Sequence, residues 1–462
     1  MNRKSFAVLS LLSLSLLGAC SSEKPTEENA AASTDAVELH FTFWGDPLEK
    51  KSIEDLVGAF NKENPDIKVT TQNIPHGNYM EKMNTMASAN KLPDVGYFME
   101  DNLGEWMNSG QIRDLSALYE PGQPFEGKLK EGIFQFEEDG PIAGNFNSLG
   151  AITMYYNEAY FEENGIDLPP HKLEDAWEWE EFIDVSKQLT VDRNGKHPGE
   201  DGFDEKNIET YAVNNFAGFT FESFLASNGG GVVSQDNKQI LIGTEESIEA
   251  IQNLQDLMYV HHVMPKPSQA STIPSTDTAL LTNRVVMSIG GSWDLNGLGK
   301  AIREKGLKIG SGILPKMGEE VRMMNYGAPI VVFENDNTKE NFDEVQKFLE
   351  FVNDPENSLP IINSGLWRPN ETSWYTDKDK LAKWTETDIT PDNYIESFVE
   401  PVKTNLVRNK AFFNTDTAQI GDIVGPSLEQ VWTGKKSAEE VVKEDILPKL
   451  KKTFGDKYEY VE

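Results

Sequence analysis

The stretch Val37-Glu38-Leu39-His40-Phe41-Thr42-Phe43-Trp44, followed by Gly45-Asp46-Pro47, decides how this chain folds. Apolar and polar residues alternate and aromatic types abound, so it reads as a strand, which Gly45-Asp46-Pro47 breaks. Ile53, Leu56, Val57 and Phe60 then recur at helical spacing, the stripe of an amphipathic helix that Asn64-Pro65 ends. Ile67 to Thr71 is a second strand. Tyr79, Met80, Met83, Met86 and Ala87 form a second helical face, and Val95 to Phe98 is a third strand after Pro93-Asp94. This βαβαβ order implies an α/β fold with a largely parallel, helix-covered sheet.

The alternation resumes downstream. Ile152 to Tyr156, Val285 to Ile289, Lys308 to Ile313 and Pro329 to Phe333 read as strands. Trp179, Phe182, Val185 and Leu189 mark one helix. Ser247 to Val260 is another, Phe342 to Val352 a third, and Ala438 to Leu450 a last one. No tandem repeat of fixed period is present.

At the other end, Arg3 and Lys4 lead an apolar run from Phe6 to Leu17, closed by Gly18-Ala19-Cys20. A basic start, a short apolar core and small residues before a cleavage point make an export signal over residues 1–19, too short to span a bilayer stably. Cys20 is the single cysteine of the chain, with no disulfide or metal-site companion. Its place after Leu-Gly-Ala resembles a bacterial lipobox, which implies lipidation of Cys20 by fatty chains. An ordinary signal peptide is the competing reading. Residues 20–36, polar and without an apolar face, read as a disordered tether. The net charge of −34 favours solubility and disfavours nucleic acid as a partner.

In order, several pieces resemble the extracellular solute-binding proteins of bacterial ABC importers, in the carbohydrate-binding family that includes maltose-binding proteins. They are Ala59-Phe60-Asn61-Lys62-Glu63-Asn64-Pro65-Asp66-Ile67-Lys68-Val69, Leu92-Pro93-Asp94-Val95, Asn108-Ser109-Gly110, Tyr155-Tyr156-Asn157-Glu158, Trp177-Glu178-Trp179-Glu180-Glu181-Phe182, Asn228-Gly229-Gly230 and Gly290-Gly291-Ser292-Trp293. The resemblance implies a two-lobed periplasmic-binding-protein fold with discontinuous lobes joined by a hinge. The first lobe would take residues 37–146 plus 318–358 and the second residues 147–317 plus 359–462. It further implies a monomer that captures an oligosaccharide between its lobes and docks on the permease subunits of an importer. Such a protein is not an enzyme and needs no cofactor. It would be lipid-anchored on the outer side of the cell membrane, of Gram-positive type rather than periplasmic.

A sugar site wants aromatic platforms for C–H faces and planar polar groups for hydroxyls, placed after the carboxyl ends of strands. Trp44 and Asp46 follow the first strand and could stack on a ring and accept from hydroxyls, with a core Trp and a turn Asp as the competing reading. Phe98, Asp101 and Asn102 match the family segment carrying a platform and a polar pair. Asn102 stands where the family often has Arg, and Asp101 could instead cap a helix from Leu103. On the other side, Phe219 could stack but lacks a hydroxyl, and a buried core position is the competing reading. Trp293 follows Gly290-Gly291, two residues that permit close backbone approach to a ligand, with Asp294 adjacent. Tyr326, Trp367 and Arg368 lie where the family returns to the cleft, and Arg368 could instead pair with surface acids. Trp177 and Trp179 are assigned to packing.

Asp192, Asn194, Asp201 and Asp204 offer oxygen ligands near Gly195, but Lys196 intrudes and the spacing is too short for a calcium loop, so a polar hairpin is expected and no metal. Two other classes stay open on these residues. A membrane-anchored glycoside hydrolase also needs aromatics and a carboxylate pair. A polysaccharide-capture lipoprotein would hold long insoluble chains.

Overall fold

The structure, a computed structural model, describes residues 36–137, 139–214 and 218–462. The export signal, Cys20 and the tether up to Asp35 lie outside the described residues. No helix among the described residues is long and apolar enough to cross a membrane.

The first sheet has four strands in the order Ile330–Val332, Val95–Tyr97, Val37–Phe43, Ile67–Asn73. We call the last three, in chain order, β1 (Val37–Phe43), β2 (Ile67–Asn73) and β3 (Val95–Tyr97). β1 pairs in parallel with both neighbours, as βαβαβ order requires. Leu39, Phe41 and Phe43 of β1 face the core. Thr42, on the other face, is buried as well, because the hydroxyl of Tyr79 covers it at 2.8 Å. Helix α1 (Pro47–Glu63) begins where Asp46 accepts from the N–H groups of Leu48 and Glu49, both at 2.8 Å, with Pro47 in its first turn. Its stripe of Ile53, Leu56, Val57 and Phe60 is the buried one. Helix α2 (Tyr79–Ser88) returns the chain to β3, and α3 (Glu100–Asn108) follows at once.

The second sheet has seven strands. Its path runs Leu406–Val407, Met323–Tyr326, Gly150–Asn157, Val285–Gly291, Ile208–Asn214, Val191–Asp192, with Ile309–Gly312 also paired to Gly150–Asn157. The strand Gly150–Asn157 is buried at every position, which explains its near-continuous apolar reading. The two sheets are tied by a crossed pair of segments. Met323–Tyr326 belongs to the second sheet and Ile330–Val332 to the first, so residues 327–329 pass between them. Residues 146–150 run alongside, held by the Phe146–Pro329 bridge, the Asn147 N–H on the Ala328 carbonyl at 2.8 Å, and the Tyr326–Gly150 pairing.

The tail departs from one regular helix. Ala438–Glu440 and Leu447–Phe454 are α-helical, but Val441–Ile446 between them is a π-helical turn. Another π-helical turn, Ile395–Val399, precedes Glu400–Asn405. Each leads into a proline near the start of the next helix, Pro448 and Pro401, whose missing N–H removes one i→i−4 bond.

Candidate functional site

A cleft of about 600 Å³ opens between the two sheets. Its floor is the crossed pair, through Asn147, Ser148, Gly150, Gly327 and Ala328. The first-sheet side supplies Trp44, just past β1, His76, past β2, and Tyr97, Met99, Glu100 and Asp101, at and after β3. The carboxyl ends of the three parallel strands therefore converge on one wall. Glu49 joins them from the first turns of α1. The second-sheet side supplies Phe219, Glu222, Trp293 and Tyr326, and Leu366, Trp367, Asn409 and Lys410 complete the lining.

Three aromatic rings form a panel on the second side. Phe219 and Trp293 are stacked, with centroids 6.0 Å apart and planes 27° apart, and Tyr326 stands edge-on to both. The Tyr326 hydroxyl donates to the Phe219 carbonyl at 2.7 Å, which fixes the loop that carries Phe219. Phe219 is 48% exposed, so a face of the ring is open at the cleft. Opposite, Trp44 is half-buried and packed edge-on against His76, Tyr79 and Tyr97.

Polar groups in the cleft are rich in acceptors. Burial pushes the Glu49 carboxyl up to about 8, helped by the negative charge of Asp46. Burial, then the charge of Asp101, pushes Glu100 up to about 8 against the pull of Lys410. Asp101 is exposed along the cleft, yet the protein mass on both sides raises its carboxyl too, with Lys410 opposing. Lys410 pairs with Glu222 at 2.5 Å; burial acts against its charge, but Glu222 and Asp101 outweigh it and hold the ammonium above its usual range. The Tyr97 hydroxyl is buried beside Asn147 and Trp367 but makes no hydrogen bond of ordinary geometry. It is an orphan at the cleft wall, and such groups call for a partner.

The sequence candidates divide. Trp44, Asp101, Phe219, Trp293, Tyr326 and Trp367 are brought together around the cleft. Asp46 is instead the cap of α1 and lies outside the lining. Phe98, expected as a platform, is fully buried against Trp106 and Phe333, with no face to offer. Asn102 sits half-buried within α3, away from the lining. Helix α3 starts at Glu100, so Asp101 is in its first turn rather than at its cap. Asp294 lies behind Trp293: a Cβ on Gly290 would meet its Oδ2 at 2.5 Å, and burial pushes its carboxyl up to about 7. Gly291 likewise makes room for the indole of Trp293 itself rather than for a ligand.

Arg368, expected to bond ligand hydroxyls or pair with surface acids, lies outside the lining of the cleft and forms no ion pair among the described residues. It is 2% exposed, and its guanidinium donates to the Tyr394 hydroxyl at 2.7 Å and to the carbonyls of Trp367 at 2.7 Å and Ser292 at 2.9 Å. Its own N–H donates to Ser148 Oγ at 2.6 Å. It thus clips the floor, Trp367 and the turn before Trp293 from behind. Sequence reasoning missed Glu49, His76, Tyr97, Glu100, Asn147, Glu222, Asn409 and Lys410. Tyr97 was detectable, since alternation at the end of β3 puts it opposite Phe98. Trp177 and Trp179 do pack, against Phe182. The Asp192 carboxylate is occupied by the N–H groups of Asn194, Lys196 and Asp204, which fold the loop around it.

Comparison with known proteins gives this geometry its setting. Residues 55–388 match the model of a bacterial extracellular solute-binding protein family. An arabinooligosaccharide-binding protein of Halalkalibacterium halodurans is 27% identical over 236 residues, 49% of this chain and 47% of that protein, so the match spans about half of that relative's length. The sn-glycerol-3-phosphate-binding periplasmic protein UgpB of Salmonella typhimurium is 24% identical over 422 residues, covering 85% of this chain and 87% of that one. Among solved structures, the ABC substrate-binding protein Lmo0181 from Listeria monocytogenes, in complex with cycloalternan, superposes with a TM-score of 0.74 at 21% identity, over 91% of this chain and 100% of that one. The GacH receptor of Streptomyces glaucescens, solved unliganded and with acarbose, superposes at 0.71 with 17% identity, over 91% and 99%. The two-lobed α/β fold is thus shared with these proteins, and the chain belongs to the bacterial extracellular solute-binding protein family.

Proposed function

We propose that this protein is the substrate-binding component of an ABC importer and captures an oligosaccharide in the cleft. The carrying observation is the juxtaposition of exposed stacking rings, Phe219 and Trp293, with the unpartnered Tyr97 hydroxyl and the carboxyls of Glu49, Glu100 and Asp101. Rings take the C–H faces of sugars, and the polar groups take hydroxyls. The relatives named for arabinooligosaccharide and cycloalternan support the same ligand class. The lobes are read as residues 37–146 plus 327–358 and 147–326 plus 359–462, the return moving from the expected 318 because Met323–Tyr326 pairs in the second sheet, and the ligand closes them about the crossed pair. A lipid on Cys20, with residues 20–36 as leash, would hold the monomer at the outer membrane face beside the permease.

The kinship with a glycerol-3-phosphate binder raises a second reading. The cleft disfavours it, because the one ammonium among its described lining residues, Lys410, is already paired with Glu222 beside several carboxyls. Titration calorimetry against a panel of neutral oligosaccharides and against sn-glycerol 3-phosphate tests both. Tight binding of an unaltered oligosaccharide is expected. Binding of the phosphate ester alone, or release of shorter products, would overturn the reading.

A further inference from the structure

Beyond the Glu222–Lys410 pair lies a second cavity of about 520 Å³ that shares both residues with the cleft. Its electrical character is different. Arg322 and Arg408 line it with Lys410, against Glu131 and Glu222. Arg322 is tied to Glu320, and Lys410 to Glu222. Arg408 has no ion-pair partner among the described residues. Its hydrogen bonds run through Nη2 alone, to the carbonyls of Ile133 at 3.1 Å and Phe412 at 3.3 Å, and its Nε is buried without an acceptor. A guanidinium keeps its charge even when desolvated. In a chain of net charge −34, a half-buried arginine that feels the charge of Glu131 yet forms no ion pair with a described carboxylate stands out.

We propose that this cavity binds an oxyanion substituent, carboxylate or phosphate, carried by the captured saccharide, with Arg408 as its recognition group. The inference rests on the sugar-capture reading. The neutral rings of the ligand lie in the aromatic cleft, and the charged substituent passes the Glu222–Lys410 pair into the second cavity. The first site is lined by the carboxyls of Glu49, Glu100 and Asp101 where the second is lined by arginines, so the two cavities together orient the ligand end to end. Gly229, Gly230 and Gly231 also line the second cavity. Fork-shaped donors suit both carboxylate and phosphate.

Calorimetry with matched oligosaccharides tests this: a neutral chain, the same chain bearing one uronate unit, and the same chain bearing one phosphate. The wild-type protein is expected to bind a charged member roughly tenfold more tightly than the neutral one, the equivalent of one charge-assisted hydrogen bond. The arm that shows the preference identifies the substituent. Added salt should erode that preference and leave the neutral affinity unchanged. R408Q should abolish the preference and keep neutral binding, and R408K should retain part of it. Should R408Q not fold, the wild-type comparison and its salt dependence decide. Equal affinity across the matched set would overturn the proposal and leave sugar capture standing, whereas no binding by any member would overturn both.

Discussion

The indole of Trp293 lies on Gly150: a Cβ built there would stand 2.7 Å from its Cζ3 and 2.8 Å from the carbonyl of Tyr326. The ring is seated by a missing side chain in the crossed pair. Gly150→Ala should therefore tilt Trp293 off its seat. The expected result is weaker oligosaccharide binding by about tenfold, with an overpacking cost of about 1–3 kcal/mol. Calorimetry and urea unfolding measure the two, and unchanged affinity would show that the seat does not matter.

Trp293→Ala removes the ring itself. Affinity should fall by at least about tenfold, because the half-buried indole stands beside Phe219 in the aromatic panel of the cleft. A full calorimetric affinity in the folded variant would take Trp293 out of the site.

Arg368→Met deletes donors to Tyr394, Trp367 and Ser292 in one step. Each acceptor is buried, so the loss should be on the order of 3 kcal/mol. Arg368→Lys should rescue little, since an ammonium cannot span the three directions at once. Denaturant midpoints that stay within error of wild type would refute the clip.

Glu49 and Glu100, both pushed up to about 8 from an ordinary value of 4.5, tie stability to pH. Between about 4.5 and about 8 the folded protein holds protons at these sites that the unfolded chain has released. Stability should then decline as pH rises through this window and level off above it. The double variant Glu49→Gln, Glu100→Gln should flatten that decline. Urea unfolding at several pH values checks it, and parallel slopes for variant and wild type would rule the two carboxyls out.

Cys20→Ala should free the protein from the membrane, or stall its maturation, while the isolated body keeps its affinity. Fractionation of cells together with calorimetry reads both. A variant that still sediments with membranes would point to another anchor.

The first βαβαβ unit is legible because its apolar positions keep a clean period and its breaks are Gly, Pro and Asn. Trp44 and Trp293 are legible because an aromatic beyond a glycine-flanked strand end has few core positions to fill. Phe98 is misjudged through parity: side chains alternate across a strand, so Tyr97 reaches the cleft and its neighbour turns to the core. Arg368 hides for a different reason. Its partners are carbonyls and a tyrosine hydroxyl from distant segments, and no spacing announces them. Asn409 and Lys410 lie between short elements with no periodic signature, so their place in the cleft emerges only from the fold.

Three of the nine tryptophans, Trp44, Trp293 and Trp367, line the cleft, and Trp293 is stacked beside Phe219. Indole emission shifts with the polarity of its surroundings. A ligand that displaces water from these rings should alter the colour and yield of the protein's own fluorescence, with no label attached. The cleft is in that sense an optical gauge of its own filling, and a screen for the native ligand needs only a fluorimeter and the unmodified chain.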